Sequence, residues 1–207
     1  MISDIDEKII QTVLEGDVNA FEVLVTKYEK TVYNLALRMT GNAEDAADMT
    51  QETFFKAFRS LKSYRGESRF SVWLYRICSN VCLDLLRSKS RKPHSSLTAE
   101  NDEGEEAELE IPDGAQGPEE QLLSSLTRDA IQRGLDSLPA EQKEILLLRE
   151  ISGLSYEEIS LATGLELGTV KTRIFRARKR LCAFLIDDGN IPEKYASVKN
   201  REVKQRE

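Results

Sequence analysis

Residues 154–178 read LSYEEISLATGLELGTVKTRIFRAR, and the order of residue types in this stretch predicts two helices joined by a tight turn. Ser155 and Glu158 have the spacing of a capping box, in which a hydroxyl and a carboxylate satisfy two free amides at the start of a helix. Gly164 is placed to end that helix, because glycine adopts the left-handed backbone without steric cost. A second helix then begins within 166–169. This order of helix, glycine turn and helix is the helix-turn-helix pattern.

The second helix separates its residues by chemistry. Apolar side chains at steps of three and four predict one buried face: Val170, Ile174, Ala177, Leu181 and Phe184. The stretch from Gly168 to Arg180 also carries six Lys or Arg and no acid. Phe175 lies among these cations, where it could contact a thymine methyl in the major groove of DNA. The pattern favours a DNA-reading helix over its alternative, an ordinary helical hairpin with a solvated basic face.

A helix predicted over 69–87 carries a second basic and aromatic surface. Its polar stripe at helical spacing consists of Arg69, Trp73, Arg76, Asn80 and Arg87. Cations bind phosphates, an indole stacks on a base and an amide reads a base edge, so this stripe suits a strand of nucleic acid. The preceding loop, 63–68, could receive an unstacked base. The alternative for Trp73 is a purely structural place in the core.

The helix predicted over 43–61 has acids in its first half and Lys56 and Arg59 near its end. This distribution favours the helix macrodipole, which is one sufficient explanation of the charges. Met49 and Phe55 lie beside the acids on the outward face. Exposed apolar residues among carboxylates are typical of an interface, so the sharper interpretation is a docking face for a basic helical partner.

Between these two basic regions lies a stretch of different composition. Residues 99–120 contain ten Asp or Glu and no Lys or Arg, and the surrounding segment is rich in Pro and Gly. Such a segment buries too little apolar surface to offset the entropy of ordering it. We therefore expect a flexible acidic linker between two small all-α domains. Basic clusters on both sides of it are the usual electrostatic footprint of a polyanion partner.

Three further helices follow from terminal signals, and no useful period-two alternation predicts a strand. Asp17 is a candidate cap for a long helix that ends at Gly41. Pro118 suits the first turn of a helix after the linker. Pro139 opens another helix, which stops before Gly153.

Composition excludes several classes of protein. The 207 residues include a single histidine, His94, which argues against a His-based catalytic or metal centre. Cys78 and Cys82 are better explained as buried helix cysteines than as zinc ligands together with His94. No apolar run reaches the length of a membrane span, and the acidic N-terminus lacks an export signal. We expect a cytoplasmic protein without a catalytic residue, metal or cofactor.

Four motifs in this order resemble those of bacterial extracytoplasmic-function (ECF) RNA polymerase sigma factors. They are DAADMTQETFFKAF at 45–58, FSVWLYRI at 70–77, LSYEEI at 154–159 and GTVKTRIFRAR at 168–178. The resemblance extends over about 7–185. It implies a regulatory subunit of RNA polymerase that contains only the second and fourth sigma regions.

The resemblance also implies a division of the chain and a set of partners. Region 2 would occupy 1–92, the acidic linker 93–120, the region 4 helix-turn-helix domain 121–186, and a disordered tail 187–207. The expected partners are promoter DNA, core RNA polymerase through its β′ clamp helices and β flap, and an anti-sigma factor, which in this family is often membrane-anchored. No small-molecule substrate is expected, and the genes served would be a stress or envelope regulon.

Each region then receives its residues by motif position. Binding to core polymerase would fall to Asp45, Asp48, Met49, Gln51, Glu52 and Phe55. Melting and capture of the minus-ten element would fall to Lys56, Arg59, Tyr64, Arg65, Arg69, Trp73, Arg76 and Asn80. The minus-thirty-five element would be read by Thr169, Lys171, Thr172, Arg173, Phe175, Arg176 and Lys179.

Two rival classes remain at this point. A one-component regulator, with a helix-turn-helix domain and a helical sensor domain, would bind a palindromic operator as a dimer without polymerase. The N-terminal half offers no evident ligand pocket for such a sensor. A small enzyme would need a convergent set of catalytic groups, and the sequence has only scattered carboxylates.

Overall fold

A computed structural model describes residues 4–91 and 118–189, and those residues form helices without any strand. The helices are α1 Asp4–Leu14, α2 Phe21–Thr40, α3 Ala43–Ser60, α4 Phe70–Arg91, α5 Pro118–Asp136, α6 Ala140–Glu150, α7 Tyr156–Thr163 and α8 Leu167–Asp187. Short 3₁₀ turns lie at Val18–Ala20 and Leu61–Ser63. Most of the predicted acidic linker, together with His94, and the tail beyond 189 lie outside the described residues. The all-α prediction is confirmed.

Helix ends follow the local signals in most places. Gly41 has φ 73° and its amide donates to the carbonyl of Leu37 at 2.8 Å, so the left-handed residue that ends α2 is where the sequence places it. α5 begins at Pro118 as predicted. The prediction that Asp17 caps α2 is wrong. Its carboxylate accepts a hydrogen bond from the amide of Asn19 and thereby caps the 3₁₀ turn that precedes α2. α1 was not individually predicted.

The N-terminal half is a bundle in which α2, α3 and α4 pack on one another. Its centre contains fully buried Leu24, Leu35, Met39, Phe70 and Leu74. Amphipathic spacing explains these positions, since the buried side chains recur at steps of three and four along each helix. The apolar spacing of α3 predicts an inward position for Phe58 as well. Its ring does pack edge-to-face on Phe21, at 5.2 Å between centroids, but its outer side is exposed.

A buried carboxylate attaches α1 to this bundle. Asp6 accepts hydrogen bonds from Lys27 Nζ at 2.5 Å and from the Tyr28 hydroxyl at 2.6 Å. Burial raises the pKa of Tyr28, and the hydrogen bond to Asp6 raises it further, so the phenol remains a donor at neutral pH. A buried charge is tolerated here because it is paired and hydrogen-bonded.

The C-terminal half packs α5, α6 and α7 around α8. Ile145, Leu148, Leu154, Ile159 and Ile174 are fully buried there. The apolar spacing of α5 predicts Leu126 on its packed side, but this side chain is exposed. α8 buries its inner side against three other helices and thereby presents its opposite side outward.

The two halves are in contact. α6 packs on α2 and α4, and α7 packs on α4, so buried apolar residues of both halves form one continuous cluster. The sequence predicted the two helical units but not this contact between them. Within the described ranges, no helix combines the length and the hydropathy that crossing a bilayer requires.

Candidate nucleic-acid and protein interfaces

An open groove of about 790 Å³ runs between α3 and α4, and we call it the docking groove. Its lining residues are Asp48, Met49, Gln51, Glu52, Phe55, Lys56, Val81, Asp84, Leu85 and Ser88. Five of the six residues predicted to bind polymerase therefore lie together. Asp45 does not line the groove, because its carboxylate accepts from Lys89 of α4 at 2.5 Å.

The geometry of α3 explains the groove. The side chain of Asn42 caps the start of α3 by accepting a hydrogen bond from the backbone amide of Asp45. Ala46, Thr50 and Ala57 of this helix are buried against the bundle. Phe55 is consequently turned outward and is 55% exposed, an unusual state for a large apolar ring. The second wall, from Val81 to Ser88 of α4, was missed by the sequence reasoning; the i, i+4 pair of apolar residues at 81 and 85 was the available signal.

Three aromatic side chains meet where α4 begins. The rings of Tyr64 and Trp73 are 5.4 Å apart, those of Phe70 and Trp73 5.6 Å, and those of Tyr64 and Phe70 5.8 Å. The Tyr64 hydroxyl donates to the carbonyl of Ser68 at 2.6 Å, which closes the loop. Burial raises the pKa of Tyr64, so the donor persists. Trp73 is half-buried and thus satisfies both interpretations, core packing on one side and an accessible indole on the other.

A basic cleft of about 550 Å³ lies on the neighbouring surface of α3 and α4. It is lined by Lys56, Arg59, Ser60, Ile77, Asn80 and Val81. Lys56 forms an ion pair with Glu52 at 3.3 Å, and Arg59 lies over the Phe55 ring at 5.4 Å. Arg65 and Arg76 are exposed. We call the aromatic cluster with Arg65, Arg69, Arg76 and this cleft the strand surface.

Arg69 differs from the other predicted cations because it is engaged within the chain. Its Nε donates to Oε1 of Glu158 at 2.7 Å, and its Nη2 also contacts that oxygen. Glu158 belongs to the capping box of α7 in the other half of the molecule. Burial acts to raise the pKa of Glu158, but hydrogen bonds from Ser155 and Arg69 outweigh it and lower the pKa, so this carboxylate is ionised at neutral pH.

The helix-turn-helix of the sequence is formed by α7 and α8. The Ser155 hydroxyl accepts from the amide of Glu158 at 3.1 Å, and the Glu158 carboxylate accepts from the amide of Ser155 at 2.9 Å. Gly164 has φ 72° and ends α7. The capping box and the glycine turn are thus both confirmed.

The exposed side of α8 is the third surface, and we call α8 the recognition helix. Val170, Ile174 and Ala177 are buried as predicted, whereas Leu181 and Phe184 are half-buried. Phe175 is 58% exposed. Around it Lys171, Thr172, Arg176 and Lys179 are exposed, Thr169 and Arg173 are half-buried, and Arg173 pairs with Glu141 at 3.2 Å.

Cys78 and Cys82 are both fully buried in α4, which confirms their predicted place in the core. The Cys78 thiol points to the carbonyl of Val32 at 3.8 Å, and hydrogen bonding with Cys82 together with burial raises its pKa. Within 4–91 and 118–189, no three His, Cys, Asp or Glu side chains are grouped as a metal ion would require.

Comparison with known proteins agrees with this arrangement of surfaces. Residues 24–92 match the family model of Sigma-70 region 2, and residues 128–181 match that of Sigma-70, region 4. The RNA polymerase sigma-H factor of Pseudomonas aeruginosa is 37% identical over 177 residues, which are 85% of this chain and 91% of that protein. The ECF RNA polymerase sigma-E factor of Escherichia coli K12 is 40% identical over 180 residues, 85% and 92% of the two chains.

A solved structure of CnrH in complex with the cytosolic domain of CnrY has the same fold, with a TM-score of 0.67 and 24% identity over 89% of this chain and 99% of that one. The fold and the matched regions together define an initiation factor of the sigma-70 class. The chain belongs to the ECF RNA polymerase sigma factors. It accordingly binds core RNA polymerase and directs transcription initiation at promoter DNA.

This assignment decides between the rival classes. The region 2 match occupies the half that a one-component regulator would use as a sensor domain, so the operator-binding alternative is wrong. Sigma factors are regulatory initiation factors rather than catalytic enzymes.

Proposed function

We propose that this sigma factor divides its work among the three surfaces described above, each with one partner. The docking groove binds the β′ clamp helices of core polymerase, the strand surface melts and holds the minus-ten element, and the recognition helix reads the minus-thirty-five element. The observation that carries the proposal is the different chemistry of the three surfaces. They are an acidic-apolar groove, an aromatic-basic surface that adjoins the groove at Lys56 and Val81, and a basic helix in the other half.

The docking groove suits a helix that carries basic and apolar residues. Asp48, Glu52 and Asp84 supply negative charge around a floor that includes Met49 and Leu85. Phe55 is the natural anchor, because exposed aromatic side chains contribute disproportionately to binding when a partner covers them. Asp45 contributes indirectly, through the ion pair that ties α4 to α3 at the end of the groove.

The strand surface suits melted DNA because it pairs stacking rings with cations. A base that leaves the duplex loses a few kcal/mol of stacking and pairing, and stacking on an aromatic ring returns about 1–3 kcal/mol per base. Trp73 and Tyr64 supply the rings, and Lys56, Arg59, Arg65 and Arg76 supply charge for the phosphates. Asn80, exposed in the cleft, has the amide needed to read a base edge.

The recognition helix suits the major groove of duplex DNA. Phe175 can contact a thymine methyl, and Arg173 or Arg176 can donate two hydrogen bonds to guanine. Lys171, Lys179, Thr169 and Thr172 are placed for phosphates on either side. This helix belongs to the proposed region 4 domain, 121–186, which also binds the β flap; region 2 is 1–92, the linker 93–120 and the tail 187–207.

An anti-sigma factor is the remaining proposed partner, with the cytoplasm as the place of action because polymerase and promoter DNA are there. The solved structures of similar fold include CnrH with the cytosolic domain of CnrY, and RpoE of Bartonella quintana with the anti-sigma factor NepR. We propose that this chain has an inhibitor of the same kind, which can be held at the membrane.

Run-off transcription tests the division of work. Core polymerase and the chain are incubated with genomic fragments, and the start sites of the transcripts are mapped. Transcripts that require the chain supply its promoters. Phe175→Ala should then reduce transcription most on promoters with a thymine-containing upstream element, whereas Leu161→Ala, which removes an equally exposed apolar side chain from α7, should not. Equal effects of the two variants would contradict the role of the recognition helix.

A further inference from the structure

The first helix places an acid beside the loop at 63–68. Glu7 lies near the start of α1, directly after Asp6, whose buried carboxylate attaches α1 to the bundle. α1 also contacts the 3₁₀ turn Leu61–Ser63, from which the loop continues. Asp6 faces the bundle, whereas the side chain of Glu7 is exposed. The buried neighbour therefore fixes the part of α1 from which Glu7 projects.

The carboxylate of Glu7 reaches the edge of this loop. Gly66 lies in the loop with φ 71°, and a Cβ at that position would be 3.9 Å from Oε1 of Glu7. Tyr64, whose hydroxyl closes the loop on Ser68, senses the same carboxylate. Burial raises the pKa of Tyr64 first, and the negative charge of Glu7 is the next cause. Glu7 thus lies close to a ring that the strand surface offers for stacking.

Glu7 differs from other acids of the N-terminal half because it is not used in packing. Asp6 is paired with Lys27, and Asp45 with Lys89. Within residues 4–91 and 118–189, no ion pair engages Glu7. A negative charge near the start of a helix does favour the helix dipole, which explains an acid in this turn but not its place at the loop.

The charge of Glu7 is opposite to that of the surface around it. Exposed Arg65 and Arg76 attract the phosphates of a strand, whereas a carboxylate repels them. A strand on this surface is therefore most stable when its phosphates follow the arginines and an unstacked base points toward Glu7. An ionised carboxylate only accepts hydrogen bonds. Cytosine N4 and adenine N6 are donors, while thymine has the O4 acceptor in the corresponding place.

We propose that Glu7 is a specificity-determining residue of the strand surface. Its carboxylate accepts a hydrogen bond from the exocyclic amino group of the unstacked base held beside the 63–68 loop, and it excludes thymine from that place. α1 is thereby a part of the DNA-reading machinery rather than only a support for the bundle. This inference rests on the proposed function of the strand surface.

Run-off transcription with core polymerase and the full chain tests the inference on a mapped promoter. On a template whose minus-ten region is unpaired, each base of either strand is replaced in turn. At one position, a base with an amino group should support at least about fivefold more transcription than thymine. At that position the amino group alone is then removed, with 2-pyrimidinone in place of cytosine, purine in place of adenine or hypoxanthine in place of guanine.

Variants assign the effect to one carboxylate. Removal of the amino group should cost the unmodified chain about fivefold but Glu7→Ala less than about twofold, because the two changes remove the same hydrogen bond. Glu7→Gln should accept thymine, since its amide can donate to O4. Glu15→Ala, just after α1, and Glu67→Ala, in the loop, each remove an exposed acid and should retain the fivefold effect. Thermal unfolding of each variant controls for stability.

The outcomes separate this inference from the function on which it rests. If no replacement in either minus-ten strand changes transcription by the unmodified chain, the strand surface itself fails. If replacements matter but no position favours an amino base over thymine, the role of Glu7 is overturned and the strand surface stands. The same holds if Glu7→Ala keeps the full effect of amino-group removal, whatever its stability, or if Glu67→Ala abolishes that effect.

Discussion

At the scale of single residues, Trp73 contributes both to packing and to an accessible surface. Its indole packs against Tyr64 and Phe70 and is also half-accessible on the strand surface. Trp73→Ala should lower run-off transcription from a duplex promoter by about tenfold or more, because stacking on one base is worth about 1–3 kcal/mol. Trp73→Phe keeps a stacking face and should retain most of the activity. The measurement is run-off transcription with saturating core polymerase.

A template with an unpaired minus-ten region distinguishes melting from folding. If Trp73 acts in melting, that template should restore a large part of the activity of Trp73→Ala. Thermal unfolding of each variant controls for lost packing. A loss of activity that parallels the loss of stability, with no rescue by the unpaired template, would mean that Trp73 serves the core alone.

Phe55 is a residue whose exposure has no structural benefit. Because the ring is already 55% exposed, Phe55→Ala should change the free energy of unfolding by no more than about 0.5 kcal/mol. Its affinity for core polymerase should nevertheless fall by about thirtyfold, which is the usual loss for an aromatic anchor. Titration of core polymerase on native gels measures the affinity. Val23→Ala, an equally exposed apolar residue of α2, is the control and should bind normally.

At the scale of elements, the ends of α2 and α7 make a matched pair. Gly41 and Gly164 have nearly the same backbone angles and donate to equivalent carbonyls. An alanine at either position incurs the left-handed penalty of about 1–2 kcal/mol. A Cβ at Gly41 would also lie 3.2 Å from Nε2 of Gln132 in the other half, whereas a Cβ at Gly164 would meet nothing within 4 Å.

Gly41→Ala and Gly164→Ala should therefore lose similar stability to denaturant but differ in closure. Gly41→Ala should lower the energy transfer between dyes on Glu29→Cys in α2 and Asp187→Cys in α8, because it crowds Gln132, which is hydrogen-bonded to Arg38 of the other half. Gly164→Ala should leave the transfer unchanged. Equal transfer in the two variants would show that the contact between the halves tolerates the displacement of Gln132.

Local signals also explain which parts of the fold and the site could be predicted from the sequence. The ends at Gly41 and Gly164 and the Ser155–Glu158 box depend on neighbours within a few residues, so the sequence contains all of their determinants. The prediction for Asp17 failed because its side chain caps a 3₁₀ turn rather than α2. The Arg69–Glu158 and Lys143–Met39 contacts join residues far apart in the chain, and no local pattern encodes such pairs.

The candidate site, like the fold, could be predicted only in part from the sequence. Phe55 and Phe175 were recognisable because each interrupts a polar face at helical spacing, and both are exposed in the structure. The α4 wall of the docking groove could not be recognised from the sequence. Val81 and Leu85 have the spacing of a buried helix face, and only the packing of α3 against α4 shows that they line a groove. Their roles toward polymerase and DNA remain predictions.

At the scale of the whole molecule, the carboxyl of Glu144 should make the contact between the two halves depend on pH. It lies on α6, half-buried, and faces Ser79 and Arg87 of α4, Arg173 of α8 and Glu141 of its own helix. Burial, and next the charge of Glu141, raise the pKa of Glu144 to about 6, although the two arginines oppose this. When the halves separate, the side chain returns to water and its pKa falls toward the ordinary value of about 4.3.

The sign of the effect follows from these two values. The closed state, in which the two halves are in contact, holds the proton more tightly than an open state in which they are apart. Closure is therefore favoured as the pH falls through about 6, and the added stability is lost as the pH rises above it. Between about pH 8 and pH 5, the closed-to-open ratio of the free chain should rise by about tenfold. Energy transfer between dyes on Glu29→Cys in α2 and Asp187→Cys in α8, both exposed positions, measures this ratio, with Cys182→Ser to remove the half-buried thiol.

Two variants assign the effect to this carboxyl. Glu144→Gln keeps the shape of the protonated group, so its chain should be closed at every pH in this range and its transfer should not vary. Glu141→Gln removes the neighbouring charge that raises the pKa of Glu144, so the transition should persist but move to lower pH. A pH dependence that survives in Glu144→Gln would locate the titrating group elsewhere. If it disappears, the proton on Glu144 accounts for the pH dependence, and acidification stabilises the contact between the halves in which Arg69 is bound to Glu158.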